Sequence, residues 1–139
     1  MRFMVIVKAN EDSESGRLPS QEELAAMNRF NEELARAGVM LAAEGLHPSS
    51  RGVRITYSGD GRSVTDGPFT ETKELIAGFW LIQARSREEV VEWMKRAPFQ
   101  EGQVEIRQVF EADDFGEALT PELREREARL RAELERRRS

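Results

Sequence analysis

The chain has 139 residues, of which 39% are hydrophobic and 34% charged, and its formal net charge is −5. This length is typical of one domain with its own core, and the composition is that of a globular protein with a highly charged surface. The acidic balance argues against general nucleic-acid binding, and no apolar run approaches the roughly 20 residues that a membrane-spanning helix needs.

The first residues lack the pattern of a signal peptide, so we expect a cytoplasmic protein. Residues 1–7 are apolar, but they are about one strand long and Lys8 follows directly. The sequence has no cysteine and a single histidine, which excludes disulfides, zinc–thiolate sites and a multi-histidine metal site within one chain. It also has no glycine-rich phosphate loop, serine elbow or HExxH motif. We therefore expect neither a cofactor nor a bound metal.

Apolar periodicity and turn residues predict seven elements in chain order. They are a strand over 2–8, a helix over 21–37, a strand over 39–46, a hairpin over 52–58 and 63–65, a strand over 75–84, a helix from 86 that ends before Pro98, and a strand over 104–110. A surface loop over 9–19 joins the first strand to the first helix. Ser20 with Glu23, and Ser86 with Glu89, have the capping-box spacing at the two helix starts. Gly38 stands where a left-handed residue would end the first helix.

Without the hairpin, this order is βαββαβ, the ferredoxin-like arrangement in which two helices cover one face of an antiparallel sheet. The other face of the sheet then has no cover within the chain. The runs 39–46 and 75–84 are apolar on both alternating sides, which favours burial of both faces. We therefore expect a homodimer in which a second copy closes the sheet.

The C-terminal segment predicts a charged helix after an acidic connector. Thr120 is placed as an N-cap and Pro121 as the first helical residue, and arginines crowd the last turn. The apolar stripe of this helix is thin, consisting of Leu123, Leu130 and Leu134. We predict a solvated helix held by i, i+4 ion pairs rather than a nucleic-acid arm, because five glutamates offset most of its seven arginines. Docking of a partner helix against the leucines is a further alternative. The chain thus divides into a domain over 1–112 and a C-terminal segment over 113–139.

The densest group of polar residues lies between two predicted strands, from Asp66 to Glu74. Asp66 ends a strand in front of a Gly-Pro turn, where it acts either as a turn residue or as a carboxylate at the mouth of the sheet. His47 carries the chain's one imidazole, a group whose charge changes near neutral pH. If the hairpin folds back, His47 and Asp66 would meet as a catalytic base and its orienting carboxylate. The alternative is that both are ordinary turn residues.

Glu44 is a second candidate because it lies in a strand that is otherwise apolar. A buried carboxylate is costly unless it is paired, so Glu44 should meet a cation, either Lys8 or Lys73, or serve in proton transfer. Glu71 and Lys73 would lie on one face if their segment is a strand, whereas a helical turn would bring Glu71 towards Glu74. We predict ligand-binding roles for Lys8, Glu44, Glu71 and Lys73.

The motif Asp66-Gly67-Pro68-Phe69, extended by residues 70–74, resembles the segment that names the YCII-related, DGPF-domain proteins of bacteria. The resemblance runs from about residue 1 to 112 and includes residues 44–48, 76–79 and 104–107. It implies a dimeric α+β barrel with a cleft near the subunit interface, into which the DGPF loop projects. The family is largely uncharacterised, and a His–Asp pair has been proposed as catalytic in its broader YCII group.

The chain departs from the family pattern in two places. Its first long helix has no histidine, and Ala97-Pro98-Phe99 stands where Asp-Pro-Phe or Asp-Pro-Tyr is usual. Proton transfer would therefore have to use His47 with Asp66, or Glu44 acting through Lys73. The leading hypothesis is a small-molecule site, which binds a metabolite or catalyses a proton transfer. Because many family members are encoded beside extracytoplasmic-function sigma factors, the alternative is a non-catalytic regulatory partner that engages another protein through its C-terminal helix.

Overall fold

A computed structural model describes residues 1–138; Ser139, which the prediction assigned to the C-terminal segment, lies outside the described residues. The chain divides into two compact units, Met1–Gln108 and a second that begins at Val109. Within the described residues, the strands are β1 (Arg2–Lys8), β2 (Met40–Gly45), β3 (Val53–Ser58), β4 (Gly61–Asp66), β5 (Ile76–Gln83) and β6 (Val104–Gln108). The α-helices are α1 (Glu11–Glu14), α2 (Gln21–Arg36), α3 (Arg87–Met94) and α4 (Pro121–Arg138).

Four strands form one sheet in the order β2-β5-β1-β6, and all neighbours are antiparallel. The prediction of an α+β fold on an antiparallel sheet is confirmed, and β5 and β1 are the two central strands. Side chains alternate between the two faces along each strand, and the apolar ones on one face pack against α2 and α3. The buried cluster between these layers is formed by Phe3, Val5, Phe30, Leu34, Val39, Trp80, Ile82, Ala84, Val90 and Met94.

Capping residues fix the start of both helices that cover the sheet. The Ser20 side chain accepts from the Glu23 backbone N–H and the Glu23 carboxylate accepts from that of Ser20, so the predicted capping box is confirmed. At α3, Ser86 Oγ accepts from the Glu89 N–H, but the Glu89 carboxylate accepts from the backbone of Arg85. Of the two hydrogen bonds in the predicted second capping box, the one accepted by Ser86 is present and the one accepted by Glu89 is made to a different residue.

The predicted surface loop over 9–19 is wrong for four residues, which form the single turn of α1. Asn10 Oδ1 accepts from the Ser13 N–H at 2.8 Å, and Ser13 Oγ accepts from the Asn10 N–H at 2.9 Å. This reciprocal pair caps a short turn that has no apolar residue, so no apolar periodicity in the sequence indicates it. At the end of α2, Gly38 has a φ of 74°, so the predicted left-handed residue is confirmed.

The predicted hairpin is present, but β3 and β4 form a separate two-stranded sheet. Every residue of both strands is exposed. Ile55 lies opposite Val64, and Tyr57 lies opposite Arg62, whose guanidinium group covers the tyrosine ring at 4.7 Å. The hairpin therefore extends from the domain rather than adding to its main sheet.

The second unit consists of a 3-10 segment (Ala112–Ala118) and α4. Thr120 Oγ1 accepts from the Leu123 N–H at 3.2 Å, as an N-cap does. Ion pairs at i, i+4 spacing join Arg131 to Glu127 at 3.2 Å and Arg137 to Glu133 at 2.9 Å. The predicted solvated helix with its ion pairs is confirmed.

Neither α4 nor any other described helix combines the length and apolar character needed to cross a membrane.

Candidate functional site

The DGPF turn is built against the 3-10 segment that follows His47 (Ser49–Arg51). A Cβ atom at Gly67 would lie 1.7 Å from the carbonyl oxygen of Ser49, so the turn has room only for glycine. The Gly67 N–H donates to the carbonyl of Gly52 at 2.9 Å. The glycine of the motif therefore serves a close approach of two backbone segments.

Ser49 joins three segments of the first unit. Its backbone N–H donates to Glu14 Oε2 at 2.9 Å, and its hydroxyl donates to Glu14 Oε1 at 2.5 Å. The same hydroxyl oxygen accepts from the Phe69 N–H at 3.0 Å. All three bonds are partly buried, so α1, the 3-10 segment and the DGPF turn are held together through this one residue.

The Asp66 carboxylate is exposed and makes no hydrogen bond or ion pair to the described residues. The turn is held by Ser49 and Gly52 instead, while the Arg54 guanidinium covers the Phe69 ring at 3.8 Å. Thr72–Glu74 forms a 3-10 turn, which is the second of the two conformations considered for this stretch. Glu71 and Lys73 are exposed, and their ligand-binding roles stay predictions.

His47 is exposed beside Arg51 rather than bonded to Asp66. Arg51 Nη1 lies 3.3 Å from His47 Nδ1 and 3.5 Å from Nε2. No hydrogen bond within residues 1–138 joins the imidazole to the Asp66 carboxylate. The catalytic pairing of these two residues stays a prediction.

The prediction that Glu44 is buried is wrong. Glu44 is exposed because β2 is an edge strand, paired on one side by β5 and open on the other. Neither of the predicted lysine partners forms a salt bridge with it. Lys8 instead lies 3.9 Å from Glu105 on the neighbouring β6. An exposed edge carboxylate is solvated, so it needs no internal cation.

A cavity of about 240 Å³ lies between α2, the covered face of the sheet and the segment after α3. Its floor is the cross-strand pair Gly45 and Gly78, two residues without side chains on the side that faces α2. A Cβ at Gly78 would lie 2.7 Å from the Glu44 carbonyl, whereas a Cβ at Gly45 would meet no atom within 4 Å. The cavity therefore exists because two glycines meet across the strands, and the Gly45 side of it is open.

The walls of this cavity, which we call the Gly45 cavity, are mostly apolar. The lining residues are Val7, Met27, Asn31, Ala43, Glu44, Gly45, Ala77, Gly78, Phe79, Trp80 and Phe99. The Trp80 ring meets the edge of Phe99 at 6.0 Å between centroids, and its Nε1–H donates to Asn31 Oδ1 at 2.8 Å. Glu44 and Phe79 pair with each other, so their side chains lie on the other face and their backbones border the cavity.

A second cavity of about 250 Å³ lies on the other side of Val7 and Phe99, which line both. This cavity is more polar than the first. It is bordered by Lys8 together with Asn10, Lys95, Glu101 and Gln103. Among the six predicted site residues, Glu44 borders the first cavity and Lys8 the second. The sequence signal for the Gly45 cavity was the pair of glycines in adjacent strands, which needs the strand register to be recognised.

The fold and the Gly45 cavity define a small α+β protein with a cavity between a helix layer and one antiparallel sheet. The chain matches the YCII-related domain over residues 1–113 and belongs to this family, so the predicted relationship is confirmed. It is 32% identical over 73 residues to the uncharacterized protein R00369 of Rhizobium meliloti (strain 1021). That match covers 52% of this chain and 56% of the relative, little more than half its length.

Among solved structures, the chain is similar to 5-chloro-2-hydroxyhydroquinone dehydrochlorinase (TftG) from Burkholderia phenoliruptrix AC1100, in complex with 2,5-dihydroxybenzoquinone. The two chains are 17% identical, with a TM-score of 0.46. The similarity covers 79% of this chain and 94% of the other.

Proposed function

We propose that this protein binds a small, planar and largely apolar molecule in the Gly45 cavity. The observation that carries the proposal is a half-open space of about 240 Å³ with aromatic walls and one polar side chain, Asn31. Binding sites for small molecules have this composition, in which apolar walls supply affinity and a few polar groups fix orientation. The predicted small-molecule role is kept, and its place moves from the DGPF loop to the covered face of the sheet.

The volume of the cavity limits the ligand to about one ring with short substituents. Pockets for drug-sized ligands span about 300–1,000 Å³, and an apolar cavity of about 150 Å³ in another protein holds benzene. The Gly45 cavity lies between these sizes. The Trp80 and Phe99 rings meet edge to face. An aromatic ring of the ligand can pack against them in the same preferred geometry.

The test is a ¹H–¹⁵N NMR titration with acetophenone, a single-ring probe. We expect a saturable shift of the Trp80 indole N–H and little change at that of Trp93, which does not line the cavity. Gly45→Val places a branched side chain in the open part of the cavity and should abolish the shift. Ala42→Val, on the opposite face of the same strand, should leave it unchanged.

Two results would contradict this proposal. One is the absence of a saturable shift at Trp80 in the wild-type protein. The other is binding that survives Gly45→Val with its largest shifts between residues 66 and 74, which would return the site to the DGPF loop.

We further propose that the topology is ferredoxin-like and that a second copy covers the other face of the sheet. The order β6-β1-β5-β2 supports the topology. The centre of the uncovered face is apolar and half-buried within one chain, and it is formed by Met4, Ile6, Phe79 and Leu81. At its side, β6 adds the charged residues Glu105 and Arg107. An apolar patch with a charged rim is typical of a protein interface.

The alternative function, a non-catalytic regulatory partner, is favoured by one feature of α4. Leu123, Leu130 and Leu134 are between 45% and 56% exposed and repeat at helical spacing along one face. If this face engages another protein, such as a sigma factor, deleting residues 114–139 should abolish its co-purification and leave acetophenone binding intact. An unchanged co-purification would contradict this role.

A further inference from the structure

One polar side chain projects into the Gly45 cavity, and its orientation is fixed by Trp80. The indole N–H is a donor with no acceptor capacity, and it lies 2.8 Å from Asn31 Oδ1. Exchanging the oxygen and nitrogen of the amide would place two donors against each other. The carbonyl oxygen of Asn31 is therefore the atom that accepts from the Trp80 N–H, and the amino group is the end of the amide that points away from the indole.

The Asn31 amino group has two N–H donors and no partner among residues 1–138. It is not sealed in the core, since no described side-chain nitrogen or oxygen atom is both buried and without a hydrogen bond. Asn31 itself is half-buried. Because its oxygen already accepts from Trp80 and both of its N–H donors are free, this amide is prepared to donate to whatever enters the cavity.

The other lining groups define the charge of such a ligand. None of the described lining residues is Lys, Arg or His, so nothing there compensates a buried anion. Lys8, the lysine of β1, forms a salt bridge with Glu105 on β6. A neutral acceptor such as a ketone or aldehyde carbonyl satisfies the amide at a lower desolvation cost than a carboxylate does.

We infer that Asn31 makes the Gly45 cavity selective for neutral ring compounds that present a carbonyl oxygen, through a hydrogen bond from its side-chain amide. This inference rests on the proposed function and adds the class of ligand. Asn31 is then a specificity-determining residue, whereas the glycine pair and the aromatic walls supply the space.

The experiment compares acetophenone with α-methylstyrene, which has the same shape and a methylene group in place of the carbonyl oxygen. Dissociation constants for both are measured with the wild type, Asn31→Asp and Asn28→Asp. Aspartate at 31 keeps an acceptor for the Trp80 N–H and removes both donors. Asn28→Asp makes the same charge change on the same helix outside the cavity, where Asn28 bonds to Glu32. The ratio of the two constants cancels any general effect on the cavity.

The expected result is that Asn31→Asp lowers the preference for acetophenone over α-methylstyrene by about fivefold, the net effect of one lost hydrogen bond. Asn28→Asp should keep the wild-type ratio. Binding of both probes with equal ratios in wild type and Asn31→Asp would overturn the inference and leave the cavity site intact. Failure of both probes to bind the wild type would overturn the proposed function and the inference together. The Trp80 indole N–H signal reports whether each variant is folded.

Discussion

Gly67 occupies the tightest contact of the DGPF turn, where another residue's Cβ would overlap the Ser49 carbonyl. We expect Gly67→Ala to lower the free energy of unfolding by about 1–3 kcal/mol, because the obstacle is backbone that cannot turn aside. Gly45→Ala is the matched control, since its Cβ meets nothing within 4 Å, and it should change the stability by less than about 0.5 kcal/mol. Urea denaturation measures both. Equal effects of the two substitutions would contradict the close approach.

Ser49 is the second residue whose removal should be costly. Ser49→Ala removes the acceptor of the Phe69 N–H and the hydroxyl donor to Glu14, so we expect a loss of about 1–3 kcal/mol. Ser50→Ala, one residue along the same 3-10 turn at an exposed position, should be nearly neutral. In a double-mutant cycle, Ser49→Ala and Glu14→Gln should be non-additive because the two side chains share a bond. Additive losses would show that they act separately.

The DGPF stretch also shows what sequence reasoning supplies at this scale. Its turn and its density of polar residues are visible in the chain itself. Its partners are not, because Ser49 lies 20 residues before Phe69 and Glu14 lies 35 residues before Ser49. A serine and a glutamate in separate loops have no local pattern that marks them as bonded. The motif therefore looked like a set of reactive groups, and in the structure its glycine and its Phe69 N–H make the contacts that hold it.

At the scale of elements, helix starts were predicted most accurately because capping is local. We expect Ser20→Ala to destabilise the protein by about 1 kcal/mol, since α2 loses the acceptor for the Glu23 N–H. Glu23→Gln keeps an acceptor for the Ser20 N–H and should cost only a few tenths of a kcal/mol, through the helix dipole. Thermal unfolding followed by circular dichroism compares the two. A larger loss for Glu23→Gln would mean that charge, rather than the cap, holds this end.

Strand positions were harder to predict because they depend on pairing between distant segments. The apolar run that contains β2 indicated burial, but its place at the edge of the sheet exposes Glu44. The Gly45 cavity has the same origin. Each glycine alone looks like a weak strand residue, and their alignment across β2 and β5 leaves a space under α2. Sequence periodicity predicts the face of the sheet on which a residue lies, whereas its neighbour on the next strand depends on the strand register.

At the scale of the whole molecule, the buried core lies entirely within Met1–Gln108. We therefore expect a chain that ends at residue 113 to unfold cooperatively, with a midpoint within about 3 °C of the full-length protein, a shift that corresponds to less than about 1 kcal/mol. Calorimetry on both forms checks this. A midpoint lower by 10 °C or more would show that the second unit contributes to the stability of the first.

The proposed self-association makes the last prediction, and it concerns the apolar sheet face that α2 and α3 leave uncovered. Leu81 lies at the centre of the uncovered face, opposite Met4, so Leu81→Arg would place a charge where two copies meet. We expect the wild type to sediment as a dimer and Leu81→Arg as a folded monomer. Leu18→Arg makes the same change at a position that is 83% exposed in a loop, and should remain dimeric. Sedimentation equilibrium over micromolar concentrations distinguishes these cases. A monomeric wild type would leave the sheet face open to a different partner, while a dimeric Leu81→Arg would place the interface elsewhere on the domain.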